Sequence, residues 1–278
     1  MKEVRLRLRE KPNPPLEADT ITPDAFSGKT LDQVKELPVY LGNRLGKLCD
    51  YFDIFGETSE KASDMLINVL GDTAQVKYIG TKMTAGKVVV EGNAGMHVGA
   101  QMTGGEILVQ GNVDDWAGTE MSGGLMRITG SAGNHLGSAY RGSPDGMTGG
   151  CIVVDGDVQW ECASFMRRGM VVIRGDSGPF LGAHMNGGEI FVFGRAAKRL
   201  GASAKGNGGF IACLGEVEAL LPTYVYDSIY QPMFMKLYLR KLANELGVKE
   251  AEKFINASFK RYHGDLAAGG TSEIFVAS

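Results

Sequence analysis

The sequence predicts a mainly β solenoid, a right-handed parallel β-helix, with an N-terminal cap over 1–64, a glycine-rich repeat over 65–217 and a helical tail over 218–278. Three observations carry this. One phrase recurs as GAQMTGGEILVQG (99–111), GTEMSGGLMRITG (118–130) and GAHMNGGEIFVFG (182–194). Glycines that open strands fall at Gly86, Gly105, Gly124, Gly150, Gly169, Gly188 and Gly209, in steps of 19, 19, 26, 19, 19 and 21, and a period of this size marks stacked coils. The second and fourth residues after each of these glycines are apolar, from Val88 and Val90 to Ile211 and Cys213, and a period of two places them on one face.

Two further columns belong inside. Met83, Met102, Met121, Met147, Met166 and Met185 keep the same steps and read as gap-filling core rather than a soft-metal path. Ile79, Val98, Leu136, Leu181 and Leu200 form the other, with Ala117 smaller and Glu161 an exception. Each coil is then two short strands with glycine at the corners, where φ is positive or a side chain would clash. Seven coils at the strand spacing stack to about 34 Å. The right hand follows from the crossover rule, and an 18-residue hexapeptide repeat does not fit a step of 19.

The flanks read as caps. Residues 2–9 alternate Val4, Leu6 and Leu8 with charged neighbours, as in a half-exposed strand that Pro12 ends. Asp24 to Phe26 suits one helical turn, and Thr30 caps a helix running to Leu37. Leu45 to Phe55 reads as a degraded coil and Met65 to Gly71 as a better one. After Val217 the repeat stops. Pro232 opens a helix with Phe234, Leu237, Tyr238, Leu242 and Leu246 on one face, a second helix is predicted over Lys249 to Tyr262, and Ile274 to Val276 is a last strand.

Composition limits the function classes. Net charge is −3, with no basic stripe to suggest nucleic acid. No signal-peptide pattern and no membrane-spanning apolar run is visible, so a cytoplasmic protein is expected. The four cysteines are scattered with no C-x-x-C, and the four histidines show no H-x-x-x-H, so neither zinc nor an iron–sulfur cluster is expected on this chain. No nucleophile elbow, Walker lysine or dinucleotide fingerprint is present, and no catalytic, cofactor or metal residue is assigned.

The outward columns hold the candidate site. Two residues before the corner glycine stand Tyr78, His97, Trp116, His135, Trp160, Phe180 and Arg199. The central outward position of each strand holds Val89, Leu108, Arg127, Val153, Val172, Phe191 and Ala212. Contiguous exposed apolar rows mark binding surface, unless the chain's own termini cover them. The 26-residue step contains an inserted SAYRGSPDG (138–146), with Tyr140, Arg141 and Asp145 as contact candidates or as a solvated turn. The expected partner interface is therefore Tyr78, His97, Trp116, His135, Trp160, Phe180, Tyr140, Arg141, Val153, Val172 and Phe191.

The repeat resembles the glycine-rich domain at the C-terminus of the glutamate synthase large subunit. LPVYLGNRLGKLCDYFDIFGE (37–57), GDTAQVKYIGTKMTAGKVVVEGNAGMHVG (71–99), GSAYRGSPDGMTGG (137–150) and PMFMKLYLRKLANE (232–245) together resemble the C subunit of formylmethanofuran dehydrogenase. The resemblance implies a non-catalytic scaffold in an archaeal oxidoreductase complex that reduces CO2 and fixes it as formylmethanofuran, the first step of methanogenesis. It implies a tungsten- or molybdenum-pterin, iron–sulfur clusters and a binuclear metal site, all on other subunits. The implied partners are a pterin–metal catalytic subunit, an amidohydrolase-like subunit and iron–sulfur subunits, with a higher-order oligomer possible. Two alternatives stay open: the C subunit of a formyltransferase/hydrolase complex, disfavoured by the long helical tail, and a glutamate-synthase-like component or stand-alone enzyme, which needs clustered carboxylates.

Overall fold

The computed structural model describes residues 1–278 and is dominated by one sheet. Thirteen strands lie side by side. Eight of them follow one another both in sequence and in space, all parallel: Met65–Leu70, Lys87–Glu91, Glu106–Val109, Ser122–Ile128, Thr148–Val154, Arg168–Ile173, Glu189–Val192 and Phe210–Cys213. The register is in step, with Val88 opposite Ile107 and Ile107 opposite Met126. A second parallel ladder runs through Thr73, Ala94, Val113, Ala132, Val158, Ser177, Ala196 and Val217, one residue per turn of chain. The repeat therefore stacks coil on coil, each giving one strand to the sheet and one bridge to the opposite side.

The core is the space between the two ladders. The six column methionines and the inward strand residues are fully or nearly fully buried. The 19-residue step makes like stand above like, so each methionine packs on another and the glycines pack on backbone. At Gly118, φ is 62°, and an added Cβ would lie 2.5 Å from Ile152 Cδ1. Only glycine meets both conditions without strain.

The first coil is closed by the N-terminal segment. Strand Lys2–Leu8 lies parallel to Met65–Leu70 and antiparallel to Phe52–Gly56. The stretch expected to be a degraded coil, Leu45 to Phe55, is instead strand Arg44–Lys47, one helical turn Leu48–Tyr51 and strand Phe52–Gly56. Its strands run antiparallel to their neighbours, which no coil of the repeat does. An antiparallel strand can end a stack because it does not oblige the chain to make another turn. Thr30 caps a helix as expected, with a capping box to Gln33, but the helix is Leu31–Lys35 and stops before Leu37.

The other end is closed by the tail. Phe210–Cys213 pairs with Ser272–Ala277, which pairs antiparallel with Phe259–Gly264, which pairs antiparallel with Val225–Tyr230. The helix expected over Lys249 to Tyr262 is a short 3-10 segment, Lys249–Phe254, followed by that strand. Apolar residues at 254, 255, 259 and 262 suit a helix, but the unpaired backbone edge of the last coil requires strands beside it. Helix Met233–Asn244 does form, with Pro232 at its N-cap. Its buried stripe is Met235, Leu239, Leu242 and Ala243, while Leu237, expected on the inner face, is 64% exposed. The helix is apolar on several sides, so its sequence could not say which side packs.

Candidate partner interface

The two outward rows meet different fates. In the valine-rich row, Val153, Val172, Phe191 and Ala212 are buried in a second core with Met235, Leu239, Leu242, Phe259 and Phe275 of the tail. Val153, Val172 and Phe191 therefore do not face solvent: helix Met233–Asn244 and the terminal strands cover them. Arg127 marks where that cover stops. Its guanidinium donates to the carbonyl of Leu246 at 2.7 Å and to Asp155 at 2.9 Å. Arg174 spans the same Asp155 at 3.0 Å and Glu250 of the tail, so two carboxylates and two guanidinium groups hold tail to coil.

The aromatic row is not covered in this way. Tyr78, His97, Trp116, His135, Phe180 and Arg199 all have φ between 62° and 67°, in the left-handed region. That conformation costs a non-glycine residue about 1–2 kcal/mol. Here it turns each side chain outward at a corner, where rings of successive coils stack. Tyr78 lies on His97 with centroids 4.5 Å apart and planes 5° from parallel, and Trp116 lies on His135 at 4.0 Å and 16°. Such pairs contribute about 0.5–1.5 kcal/mol each, which offsets part of the strain. At the far end the guanidinium of Arg199 sits 5.0 Å from the Phe180 ring centroid.

The fifth rung differs from the sequence expectation by one residue. Glu161, with φ 56°, occupies the corner, Cys162 fills the inward column fully buried, and Ala163 stands where the other coils have glycine. Glu161 is thus no exception in the core column. Trp160 precedes the rung, 54% exposed, with its ring 6.4 Å from Phe180. Alanine in place of the corner glycine removed the landmark from which the row was counted. Counting back five residues from Met166, as Tyr78 stands before Met83, would have found Glu161. Its carboxylate lies 3.5 Å from His135 Nδ1.

The inserted loop belongs to this face. Tyr140 lays its ring against both His97 and Trp116, at 5.6 and 5.5 Å, and its hydroxyl lies 2.9 Å from His97 Nδ1. Burial pushes the Tyr140 phenol up, while burial and then the nearby Lys77 charge push His97 down. Both groups are therefore neutral near pH 7, as the hydrogen bond between them needs. The Tyr140 amide donates to Glu120, and Arg167 reaches both the Pro144 carbonyl and the Asp145 carboxylate. The loop is bound down on both sides and is no free turn. Clefts flank Tyr140. One of about 380 Å³ lies toward Glu17, Asp19 and Tyr40 of the cap. The other, of about 300 Å³, lies between the loop and the fifth coil.

A second outward row escaped the sequence reading. Lys82, Gln101, Glu120, Phe165, His184 and Ser203 also have positive φ, and Phe165 stacks on His184 at 4.6 Å. The signal was available, since each immediately precedes a column methionine or, for Ser203, Ala204.

No three His, Cys, Asp or Glu side chains converge. Cys162 and Cys213 are buried in the core, where burial pushes the Cys213 thiol up to about 12 and Cys162 higher still. Glu106 and Glu189 share a strand position but are committed separately, to Lys87 and Tyr238, so no carboxylate groove forms.

No protein-family model matches the chain. It is 43% identical over 97 residues to the C subunit of the tungsten-containing formylmethanofuran dehydrogenase 2 of Methanothermobacter marburgensis, covering 35% of this chain and 36% of the relative. It is 40% identical, again over 97 residues, to the C subunit of the molybdenum-containing formylmethanofuran dehydrogenase 1 of Methanosarcina barkeri, covering 35% of this chain and 32% of that one. The chain thus matches about a third of the length of these curated relatives. A chain in the X-ray crystal structure of the formyltransferase/hydrolase complex from Methylorubrum extorquens, in complex with methylofuran, superposes with a TM-score of 0.88 at 29% identity, over 99% of both chains. By sequence the chain is related to the C subunits of formylmethanofuran dehydrogenases, in tungsten and molybdenum forms alike, and by structure it matches a chain of the formyltransferase/hydrolase complex from end to end.

Proposed function

We propose that this chain is the C subunit of a formylmethanofuran dehydrogenase complex, a non-catalytic scaffold that orients the subunits carrying the chemistry. The observation that carries this reading is the pairing of the end-to-end structural likeness with 40–43% identity to the C subunits of such dehydrogenases. The chain's own residues support it by what they are committed to. The inward columns pack, the cysteines are core, and the polar side chains of the aromatic face hold one another rather than converging on a reaction centre. The coils wind to the right, as the crossover rule requires, giving a rigid parallel β-helix. Its aromatic row, with Tyr140 and Arg141, meets the partner subunits. The pterin, the iron–sulfur clusters and the binuclear metal site sit on those partners, and the complex works in the cytoplasm. No helix is long and apolar enough to cross a membrane.

The second reading is the C subunit of a formyltransferase/hydrolase complex. One observation favours it: the match to that complex's chain runs through the tail, so the tail does not single out the dehydrogenase. Native purification through a tag on this chain, with metal analysis, separates the two. Stoichiometric co-migration of a tungsten- or molybdenum-bearing subunit is the expected result. A complex without either metal supports the formyltransferase/hydrolase reading, and recovery as an isolated monomer defeats both.

A further inference from the structure

The inserted loop does more than brace the aromatic row. Between it and the fifth coil lies the cleft of about 300 Å³, lined by the ring-bearing residues Trp116, His135, Tyr140 and Phe165. Ser164 also lines it, only 2% exposed, and its hydroxyl has no hydrogen-bond partner. That is unlike its counterparts on other coils. Thr81, Thr119 and Ser138 stand at the same place in the repeat and donate to the carbonyls of His97, Trp116 and Glu161, at 3.2, 2.9 and 2.6 Å. A buried hydroxyl without a partner, on a residue that lines a cleft, is an open hydrogen-bonding position. At the rim stands Arg141, exposed and paired with no carboxylate, because Asp145 of its own loop is held by Arg167.

We propose that this pocket receives a tyrosine or tryptophan side chain of a partner subunit, with an Asp or Glu of the same segment pairing with Arg141. The inference rests on the scaffold-subunit reading and names the chemistry of the contact. A lining of Trp116, His135, Tyr140 and Phe165 fits a flat ring by offset or edge-on stacking. The Ser164 hydroxyl fits an aromatic that carries an O–H or N–H, and phenylalanine would leave it unpaired. Glu161 itself lines the pocket, against His135, so an anion is disfavoured within, and the acid belongs outside at Arg141. Aromatic and arginine anchors of this kind are the residues that dominate interfaces.

The test uses the native complex, purified through a tag on this chain. A photo-crosslinking amino acid is placed at exposed Pro144, and two variants, Arg141→Glu and Ser143→Trp, remove the cation and fill the cleft. The crosslink is expected within a few residues of a Tyr or Trp that adjoins an Asp or Glu. Each variant is expected to lower retained partner about tenfold or more after a salt wash, with the melting midpoint of the chain unchanged. A crosslink to a segment lacking that pair overturns the proposal, as does full retention of partner by both variants. So does a free aromatic compound released from the pocket while the partner stays bound. If the wild-type chain itself comes down alone, the scaffold-subunit reading has failed. If the wild type keeps its partners and both variants do too, only the pocket assignment has failed.

Discussion

The hydroxyl of Tyr140 lies 2.9 Å from Nδ1 of His97, across 43 residues of sequence, so an insertion in the fourth coil is fastened to a corner of the second. Tyr140→Phe keeps the ring against Trp116 and removes only the hydrogen bond. It should cost about 0.5–1.5 kcal/mol by urea unfolding and should raise the rate of proteolytic cutting at 141–145. An unchanged cutting rate would mean that Arg167, Glu120 and the ring contacts hold the loop without this hydrogen bond.

His97 makes the same contact pH-sensitive. Burial, then the Lys77 charge, holds it below its ordinary value of 6.5. Below pH 6.5 the unfolded chain takes up a proton that the folded chain resists, so stability from this site is complete above 6.5. It falls as the pH drops through the window beneath 6.5 and levels once folded His97 protonates. His97→Asn, which tolerates the left-handed backbone, should flatten this part of the stability–pH curve relative to wild type. An identical slope in both proteins would place the acid sensitivity elsewhere.

Asp155 serves two guanidinium groups, of Arg127 and Arg174, that tie the tail to the sheet. Asp155→Ala leaves both half-buried cations short of a partner. It should lower stability by about 1–3 kcal/mol and speed amide hydrogen exchange in helix Met233–Asn244 before that in the coils. Uniform loss of protection would show the tail and coils unfolding as one unit.

Corner residues allow a paired test. Ala163 has φ 56° where the other coils place glycine, so Ala163→Gly relieves strain and should stabilise by up to about 1 kcal/mol. Gly118→Ala puts a Cβ 2.5 Å from Ile152 and should destabilise by about 1–3 kcal/mol. Calorimetric melting of the two variants should therefore move in opposite directions.

Trp160 and Val172 divide the outward surface. Trp160→Asp alters a residue 54% exposed and should leave circular dichroism and melting unchanged while weakening partner retention. Val172→Asp buries a carboxylate under the tail and should detach it, exposing dye-binding apolar surface. Melting that drops as far for Trp160→Asp as for Val172→Asp would mean that Trp160 supports the fold itself.

The stacked coils were legible because the repeat is strictly local. Gly105, Met102, Ile107 and Val109 each have a counterpart 19 residues on, and residues one period apart must touch in any stack. The inward columns therefore followed from spacing alone, and so did the existence of an aromatic row from Tyr78 to Arg199. What spacing could not decide was anything set by one segment meeting another far along the chain. Residues 249–262 carry a pattern that suits helix or strand, and the open edge of Ser272–Ala277, itself paired with Phe210–Cys213, decided for strand at Phe259–Gly264. Val153, Val172 and Phe191 alternate outward as expected, yet the tail buries them, because an outward position in a repeat says nothing about what folds over it. Tyr140 reaches His97 only because the coils hold 43 residues of chain in register. Local periodicity specifies the stacked coils; the free energy of closing their ends and covering their apolar faces specifies which surface remains.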